Sequence, residues 1–211
     1  MTDAVPAGGR LARARRGFRR HRPIASAAAV AVVTLGAIGF VRHARLTVPY
    51  LLIVLGGAVF VAIADDRARF STLTIAGLAV WAALHLAGGL IELDDGRILY
   101  NVTLTRWIHF DNVVHFIGFG SAGMASCEAL RASVGVPLRR GTAWTVTWLA
   151  AQGIGAVNEV VEFAATHLLN ATGVGGYQNT GRDLVANLLG GAAAGLWMTR
   201  RADVVTPLRQ L

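Results

Sequence analysis

Six residues that can bind a metal ion or transfer a proton are spread over four apolar stretches of this sequence. They are a lone histidine, a D-x-x-x-H pair, an E-x-x-E pair and a lone aspartate: His85, Asp111, His115, Glu159, Glu162 and Asp183. Imidazole nitrogens and carboxylate oxygens bind divalent metals, and the same groups act as general acids and bases. A charged side chain in the middle of a bilayer costs about 2.5 to 3.5 kcal/mol. If these stretches lie in lipid, the residues therefore indicate a site.

The spacing within each pair places both members on one face of a helix. Asp111 and His115 are four residues apart and Glu159 and Glu162 are three apart, the separations that bring side chains together on a helix surface. A further pair with a separation of four opens the last stretch, namely Asp183 and Asn187.

The composition indicates that lipid is the main solvent of the chain. Of the 211 residues, 54% are hydrophobic and 15% are charged, whereas soluble domains carry about 25% charged residues. A helix needs about 20 residues to cross a hydrocarbon core. Six apolar stretches are near this length or longer, at about 24–41, 48–64, 72–91, 111–130, 142–167 and 183–199. The predicted fold is all-α, an integral membrane bundle of about six transmembrane helices.

The arginines predict the orientation of this bundle. All 20 basic residues are arginine, and if the N-terminus is cytoplasmic, 15 of them fall in cytoplasmic segments and five in external ones. Such an excess is typical of cytoplasmic loops. We expect both termini in the cytoplasm, with a basic arm at 1–23, a six-helix transmembrane domain at 24–199 and a tail at 200–211. The same excess accounts for the net charge of +8, so no nucleic-acid partner is predicted.

In this orientation the polar residues of four helices lie in one layer near the outer face. Glycines below that layer predict close helix packing. They are a GxxxG pair at Gly191 and Gly195 in the last helix, and Gly153 and Gly155, whose missing side chains let a neighbour approach the fifth helix. The connector "ATGVGGYQNTG" lies on the same side and is interpreted either as a mobile lid or as a slack linker.

Two of the acidic residues also match helix caps. In "TGRD", Thr180 and Asp183 have the spacing of a capping box, with Thr180 as the N-cap residue. Asp111 in "HFDNVV" is suited to cap the fourth helix. The capping and site interpretations both stay open on sequence alone.

The remaining polar residues have structural alternatives as well. His85 next to two glycines fits simple packing as well as it fits a site, and interhelical hydrogen bonds alone would account for Glu159 and Glu162. Glu128, further along the fourth stretch, is interpreted as a packing or snorkelling group.

The motifs resemble those of a known membrane family. The order "H…GG", "DNVVHFIGFG", "NEVVEF" and "GRDLVANLLGG" is similar to that of the YjdF-like bacterial inner-membrane proteins, a family of unknown function, over about residues 72 to 195. The matching positions are His85, Asp111, His115, Glu159, Glu162, Asp183 and Gly190 or Gly191. The chain is more distantly similar to VanZ-like proteins, which are linked to glycopeptide tolerance. One departure is "QNTGRD": in the family, the residues before the last aspartate tend to be more acidic. This difference argues against metal ligands from that loop. The resemblance implies a multi-pass protein of the bacterial plasma (inner) membrane.

The first class of function that fits is a membrane enzyme, a metal-dependent or acid/base hydrolase or transferase that acts on a lipid or a lipid-linked envelope intermediate. Its cofactor would be a divalent metal, namely zinc, manganese, iron or magnesium. The catalytic residues would be His115, Asp111, Glu159, Glu162 and Asp183; the metal ligands would be His85, His115, Glu159, Glu162 and Asp183; Asn158 and Asn187 would bind substrate.

The second class is a proton- or cation-coupled transporter, in which the carboxylates relay protons or hold a cation. The lack of an internal repeat and the one-sided position of the site argue against it. A structural membrane subunit is a third alternative. The expected partners are membrane lipid and either a second copy of the chain or another membrane protein.

Overall fold

The computed structural model describes residues 10–168 and 176–200, and the predicted all-α class is confirmed over these ranges. They contain seven α-helices, and a loop with a short 3-10 turn at Leu99–Asn101 joins the fourth helix to the fifth. The helices are α1 (Arg10–Arg20), α2 (Arg22–Val41), α3 (Thr47–Ala68), α4 (Thr72–Leu90), α5 (Phe110–Val134), α6 (Arg140–Leu168) and α7 (Tyr177–Thr199). Six of them, α2 to α7, correspond to the six predicted apolar stretches.

Four of the described helices, α2 to α5, are long and apolar enough to cross a membrane, with mean hydropathies of 2.3, 2.3, 1.7 and 1.3 in their most apolar 18-residue windows. α6 and α7 have 29 and 23 residues. They do not reach the hydropathy of the other four, and they contain Glu159, Glu162, Arg182 and Asp183. The chain is therefore a multi-pass membrane protein in which α6 and α7 are long but more polar than α2 to α5.

α5 lies at the centre of the bundle and packs against α3, α4, α6 and α7. Its first turn meets the first turn of α7, where Nδ2 of Asn179 donates to Oδ2 of Asp111 at 3.2 Å. We call this end of the bundle, where α4 and α6 finish and α5 and α7 begin, the polar end. The opposite end, where α3 and α5 finish and α4 begins, is the basic end.

Close helix contacts between α5, α6 and α7 depend on small residues. A Cβ on Gly190 would collide with the carbonyl of Phe116 in α5, and a Cβ on Gly195 would lie 2.8 Å from the Trp144 ring of α6. A Cβ on Gly191 would lie 2.7 Å from Cβ of Ala151 on α6, so the predicted close packing at the GxxxG pair of α7 is confirmed. The prediction for Gly153 is wrong, because no atom lies within 4 Å of the position of its Cβ; that residue faces away from the neighbouring helices.

Ion pairs and one buried carboxylate hold the basic end together. Arg16 of α1 donates twice to Asp66 of α3, at 2.7 and 2.8 Å. Glu128 of α5 is buried and accepts a hydrogen bond from the backbone N–H of Ser71, the N-cap residue of α4, at 3.0 Å. Glu128 is therefore a packing group, as expected, and it also joins two helices. The predicted basic arm contains α1, while residues 1–9 of the arm and 201–211 of the tail lie outside the described residues.

Candidate functional site

His115 is the centre of the polar cluster that the sequence predicts. It is buried on α5, and Nε2 lies 3.6 Å from Oδ1 of Asp111, one helical turn earlier. Two carboxylates of α6 approach the same ring, with Oε1 of Glu159 at 3.6 Å from Nδ1 and Oε1 of Glu162 at 4.0 Å from Nε2. The E-x-x-E and D-x-x-x-H pairs therefore meet around one imidazole.

Glu159 is the least satisfied member of this cluster. The residue is 8% exposed, and both of its carboxylate oxygens are buried without a hydrogen-bond partner among the described residues. The side chains of Thr180 and Asn158 approach it, but neither is positioned to donate with good geometry. A buried carboxylate is costly unless a proton, a donor or a cation compensates it, so this position needs a partner.

Asp183 is fully buried on α7 and is held by two asparagines. Nδ2 of Asn112 donates to Oδ1 at 2.8 Å, and Nδ2 of Asn179 donates to Oδ2 at 2.6 Å. Asn179 also reaches Asp111, so it links the aspartates of α5 and α7. The sequence reasoning missed both asparagines. The available signals were the position of Asn112 next to Asp111 and that of Asn179 one turn before Asp183.

The capping interpretations of the two aspartates are wrong. α7 begins at Tyr177 with Gly176 as its N-cap residue, so Thr180 and Asp183 lie within the helix. α5 has His109 at its N-cap position, which leaves Asp111 in the first turn of the helix. There its charge is favourable with the helix dipole, but it does not cap. The lid prediction falls partly on residues 171–175, which lie outside the described residues, while the last part of that segment is helical.

The two asparagines predicted to bind substrate occupy different environments. Nδ2 of Asn158 donates to Oε1 of Glu162 at 2.7 Å, and the residue lines a cavity. Asn187 is fully buried, and its Oδ1 lies 3.2 Å from Nδ1 of His115. Asn187 thus contacts the central histidine and is not part of the cavity wall.

His85 lies beside the carboxylate cluster, in an aromatic setting. Its Nδ1 forms a hydrogen bond with the hydroxyl of Tyr100, and its ring stacks on Trp81 with a centroid distance of 5.2 Å. Tyr50 contacts the same ring at 4.9 Å. Gly88 leaves the space that Tyr100 fills, because a Cβ there would be 2.7 Å from that ring. Burial raises the pKa of the Tyr100 hydroxyl well above its usual range, so the hydroxyl stays protonated.

A cavity of about 180 Å³ connects His85 with the carboxylate cluster. Its polar lining comes from His85, Asp111, His115, Asn158 and Glu162, and the rest is mainly apolar and aromatic. Nε2 of His85 is buried and has no hydrogen-bond partner within the described part of the chain. Five of the eight residues predicted for the site therefore line one cavity.

One family matches most of the chain. The profile of the family described as "Predicted membrane protein (DUF2238)" matches residues 23–203. The chain belongs to this family. The description of DUF2238 agrees with the expected membrane family of unknown function, but it carries neither the YjdF-like nor the VanZ-like name. No curated protein and no solved structure matches the chain.

In this DUF2238 protein, two sets of potential metal ligands share His115. One comprises Asp111, His115 and Asp183, the other His115, Glu159 and Glu162, and within each set the ligand atoms lie within 4.8 Å of one another. Two ligand atoms bound to one zinc ion at about 2.1 Å in tetrahedral geometry are about 3.4 Å apart. From Nε2 of His115, Oδ1 of Asp111 and Oε1 of Glu162 lie at 3.6 and 4.0 Å, a few tenths of an ångström longer, while Oε1 of Glu159 lies 3.6 Å from the other ring nitrogen, Nδ1. An ion bound to Nε2 would therefore require the Glu159 side chain to move to that side of the ring, whereas His85 lies outside both sets.

Proposed function

We propose that this chain is a six-span plasma-membrane protein whose polar end binds a divalent metal ion and uses it on a lipid or a lipid-linked envelope substrate. The observation that carries the proposal is the meeting of His115 with the α6 carboxylates, one of which, Glu159, is buried without a hydrogen-bond partner among the described residues. Several carboxylates around one imidazole repel each other unless a cation or protons offset their charge. A divalent ion offsets the most charge in the smallest volume.

The ligand types suit manganese and magnesium as well as zinc and iron, because one nitrogen is combined with several carboxylate oxygens. Each set offers three ligands. We assign the ion to His115, Glu159 and Glu162, because both oxygens of Asp183 in the other set already accept hydrogen bonds from asparagines. Such an ion supplies a Lewis acid that polarises a carbonyl or phosphoryl group and lowers the pKa of bound water. Asp111 next to His115 is suited to accept a proton, and Asn158 in the cavity wall is suited to hold a polar head group.

The distribution of arginines supports an outward-facing polar end with both termini in the cytoplasm. Fifteen of the 20 arginines are then cytoplasmic, including those of α1 at the basic end. α6 and α7 would cross the membrane as the fifth and sixth spans, because their charges face the protein interior around His115 and not the lipid.

Proton-coupled transport is the alternative, and the same Glu159 favours it. A shared proton would also compensate the buried carboxylate, and a cluster of this kind is suited to relay it. The two proposals differ in one measurable respect, which is whether the purified protein retains a metal.

The test is metal analysis of the purified protein, wild type against Glu159→Gln/Glu162→Gln. Glu128→Gln is the matched control, since Glu128 is an equally buried carboxylate at the basic end. We expect about one equivalent of metal in the wild type and in the control, and little in the double variant. A wild type without metal, or equal metal in the double variant, would refute the metal site. Proton flux in liposomes that disappears in the double variant would then favour transport.

A further inference from the structure

The cavity next to His115 has a gap in its wall on the side of the membrane. α3 and α6 both line it, yet no Cα of α3 comes within 8 Å of a Cα of α6. α5 forms the back of the cavity, and it packs against both helices. α3 and α6 therefore stand on either side of an opening that no described helix fills.

The edges of this opening are apolar and continue onto the outer surface of the bundle. Ile53 on α3 and Val161 on α6 line the cavity, and they are 54% and 58% exposed. Pro49 on α3 also lines it and is exposed, and Ala165 on α6 is half-buried. In a membrane-spanning chain, exposed apolar side chains at these positions face lipid. The cavity lining is thus continuous with the lipid-facing surface.

The cavity is covered at the polar end by the loop between α4 and α5. Ile98 and Tyr100 of this loop line the cavity, and Tyr100 is anchored by hydrogen bonds to the side chain and the backbone carbonyl of His85. The polar lining, at Asp111, His115, Asn158 and Glu162, is more buried than the apolar edges. A polar interior combined with an apolar side opening matches an amphiphile better than it matches a water-soluble ligand.

We infer that the cavity is a lateral lipid-binding site. A lipid of the surrounding bilayer enters between α3 and α6, with its polar head next to His115 and Glu162 and one hydrocarbon chain between Ile53 and Val161. The identity of the head group rests on the proposed function, because a bound metal would favour an oxyanion such as a phosphate. The route between the helices does not depend on the metal.

Trp81 is a natural reporter for this site, since it lines the cavity and packs against Gly118 of α5. A variant that keeps only this tryptophan is made by changing the other four to phenylalanine at Trp107, Trp144, Trp148 and Trp197. It is placed in vesicles of phosphatidylethanolamine and phosphatidylglycerol, with ordinary or dibrominated acyl chains. Bromine quenches tryptophan only at short range, so we expect clear quenching of Trp81 by the brominated lipids.

Ile53→Phe/Val161→Phe narrows the opening and should reduce this quenching at least twofold. The matched control is Leu52→Phe/Val160→Phe, which alters the neighbouring residues of the same two helices at exposed positions that do not line the cavity. Equal quenching in both double variants would overturn the inference. Quenching of Trp81 by aqueous acrylamide but not by brominated lipids would also overturn it, because the cavity would then open to water.

The metal and lipid proposals can fail separately in this experiment. Removal of the metal from the wild type with a chelator leaves every side chain of the cavity in place, so lipid quenching of Trp81 should persist when the metal is lost. Bound metal without lipid quenching would refute only the lateral site. Lipid quenching that responds to Ile53→Phe/Val161→Phe in a protein without metal would refute only the metal site.

Discussion

Oδ1 of Asn187 lies 3.2 Å from Nδ1 of His115, and both residues are buried where α7 meets α5. A carboxamide oxygen only accepts hydrogen bonds, so this contact is a hydrogen bond when Nδ1 of His115 carries the proton. In a neutral imidazole Nε2 then keeps its lone pair, on the side of Asp111 and Glu162. Under the proposed function, Asn187 would be a positioning residue that presents His115 as a ligand or base through Nε2.

Removal of this oxygen should weaken metal binding without removing a ligand. Asn187→Leu keeps the approximate size of the side chain but cannot accept from Nδ1–H, and partners of this kind are worth 10- to 100-fold in metal affinity. We expect a loss of about that size in a competition titration of the purified protein with a zinc chelator. Asn187→Asp keeps an acceptor and should retain binding. If both variants bind as the wild type does, Asn187 has no positioning role.

Glu159→Gln should have opposite effects on the metal-free and metal-bound protein. The wild-type carboxylate is buried without a hydrogen-bond partner in the part of the chain that the structure describes, and a neutral amide avoids a penalty of about 1 to 3 kcal/mol. For a chain of this length each kcal/mol corresponds to about 2 to 4 °C in Tm. We therefore expect a higher Tm than wild type in the presence of chelator, and no further rise when zinc is added.

Glu162→Gln is the control for that experiment. Oε1 of Glu162 already accepts from Asn158 at 2.7 Å, so the metal-free protein should gain less from its neutralisation. Zinc should nevertheless fail to raise the Tm of Glu162→Gln, because zinc raises the wild-type Tm by binding to the folded state and this variant lacks a ligand. A metal-free Glu159→Gln protein that melts below the wild type would show that Glu159 has a structural partner.

The sequence predicted the members of the site better than their surroundings. Residues with helix spacing, such as Asp111 with His115, were brought together because the 3.6-residue period already places them on one face. Asn112 was missed because its partner, Asp183, belongs to another helix. Asn179 was missed because the sequence pattern placed the start of α7 after it, whereas both Asn179 and Asp183 lie within the helix.

The error at the start of α7 has a physical reason. "TGRD" fits a capping box by its residue types, but the chain turns into helix earlier, at Tyr177, so that Asn179 and Asp183 share one face towards α5. Tertiary contacts outweighed the local preference, as they commonly do for helix ends. His85 was included in the metal prediction because of its depth and the family resemblance; its contact with Tyr100 depends on a loop fold that the sequence pattern does not specify.

Glu128 should be a structural carboxylate, in contrast to those at the polar end. It accepts from the backbone N–H of Ser71 and fixes the start of α4 against the end of α5. Glu128→Ala removes an acceptor from the Ser71 N–H and should lower the free energy of unfolding by about 1 to 3 kcal/mol. The change would be seen as a lower Tm. Zinc affinity per folded molecule should not change. A variant that loses zinc binding while its Tm is preserved would contradict this separation of roles.

Gly190→Ala should destabilise the bundle, since a Cβ at this position collides with the backbone carbonyl of Phe116. Backbone atoms cannot move aside as a side chain does, and overpacking of this kind costs about 1 to 3 kcal/mol. Gly153→Ala on α6 is the matched control because the space around its Cβ is open. Alanine is the better helix former by about 0.5 to 1 kcal/mol, so the control should melt at or slightly above the wild-type Tm. Equal Tm losses would mean that the α5–α7 contact is looser than it is described here.

The orientation of the bundle can be tested with single cysteines. The native Cys127 is buried and is removed by Cys127→Ala to give a clean background. Tyr177→Cys and Val136→Cys then place exposed thiols at the polar end and in the connector between α5 and α6, respectively. Because the arginine distribution predicts that the polar end faces outwards, a membrane-impermeant maleimide should label Tyr177→Cys on intact cells, and Val136→Cys only after permeabilisation. The reverse pattern would turn the polar end towards the cytoplasm, and the substrate would then have to come from the inner leaflet.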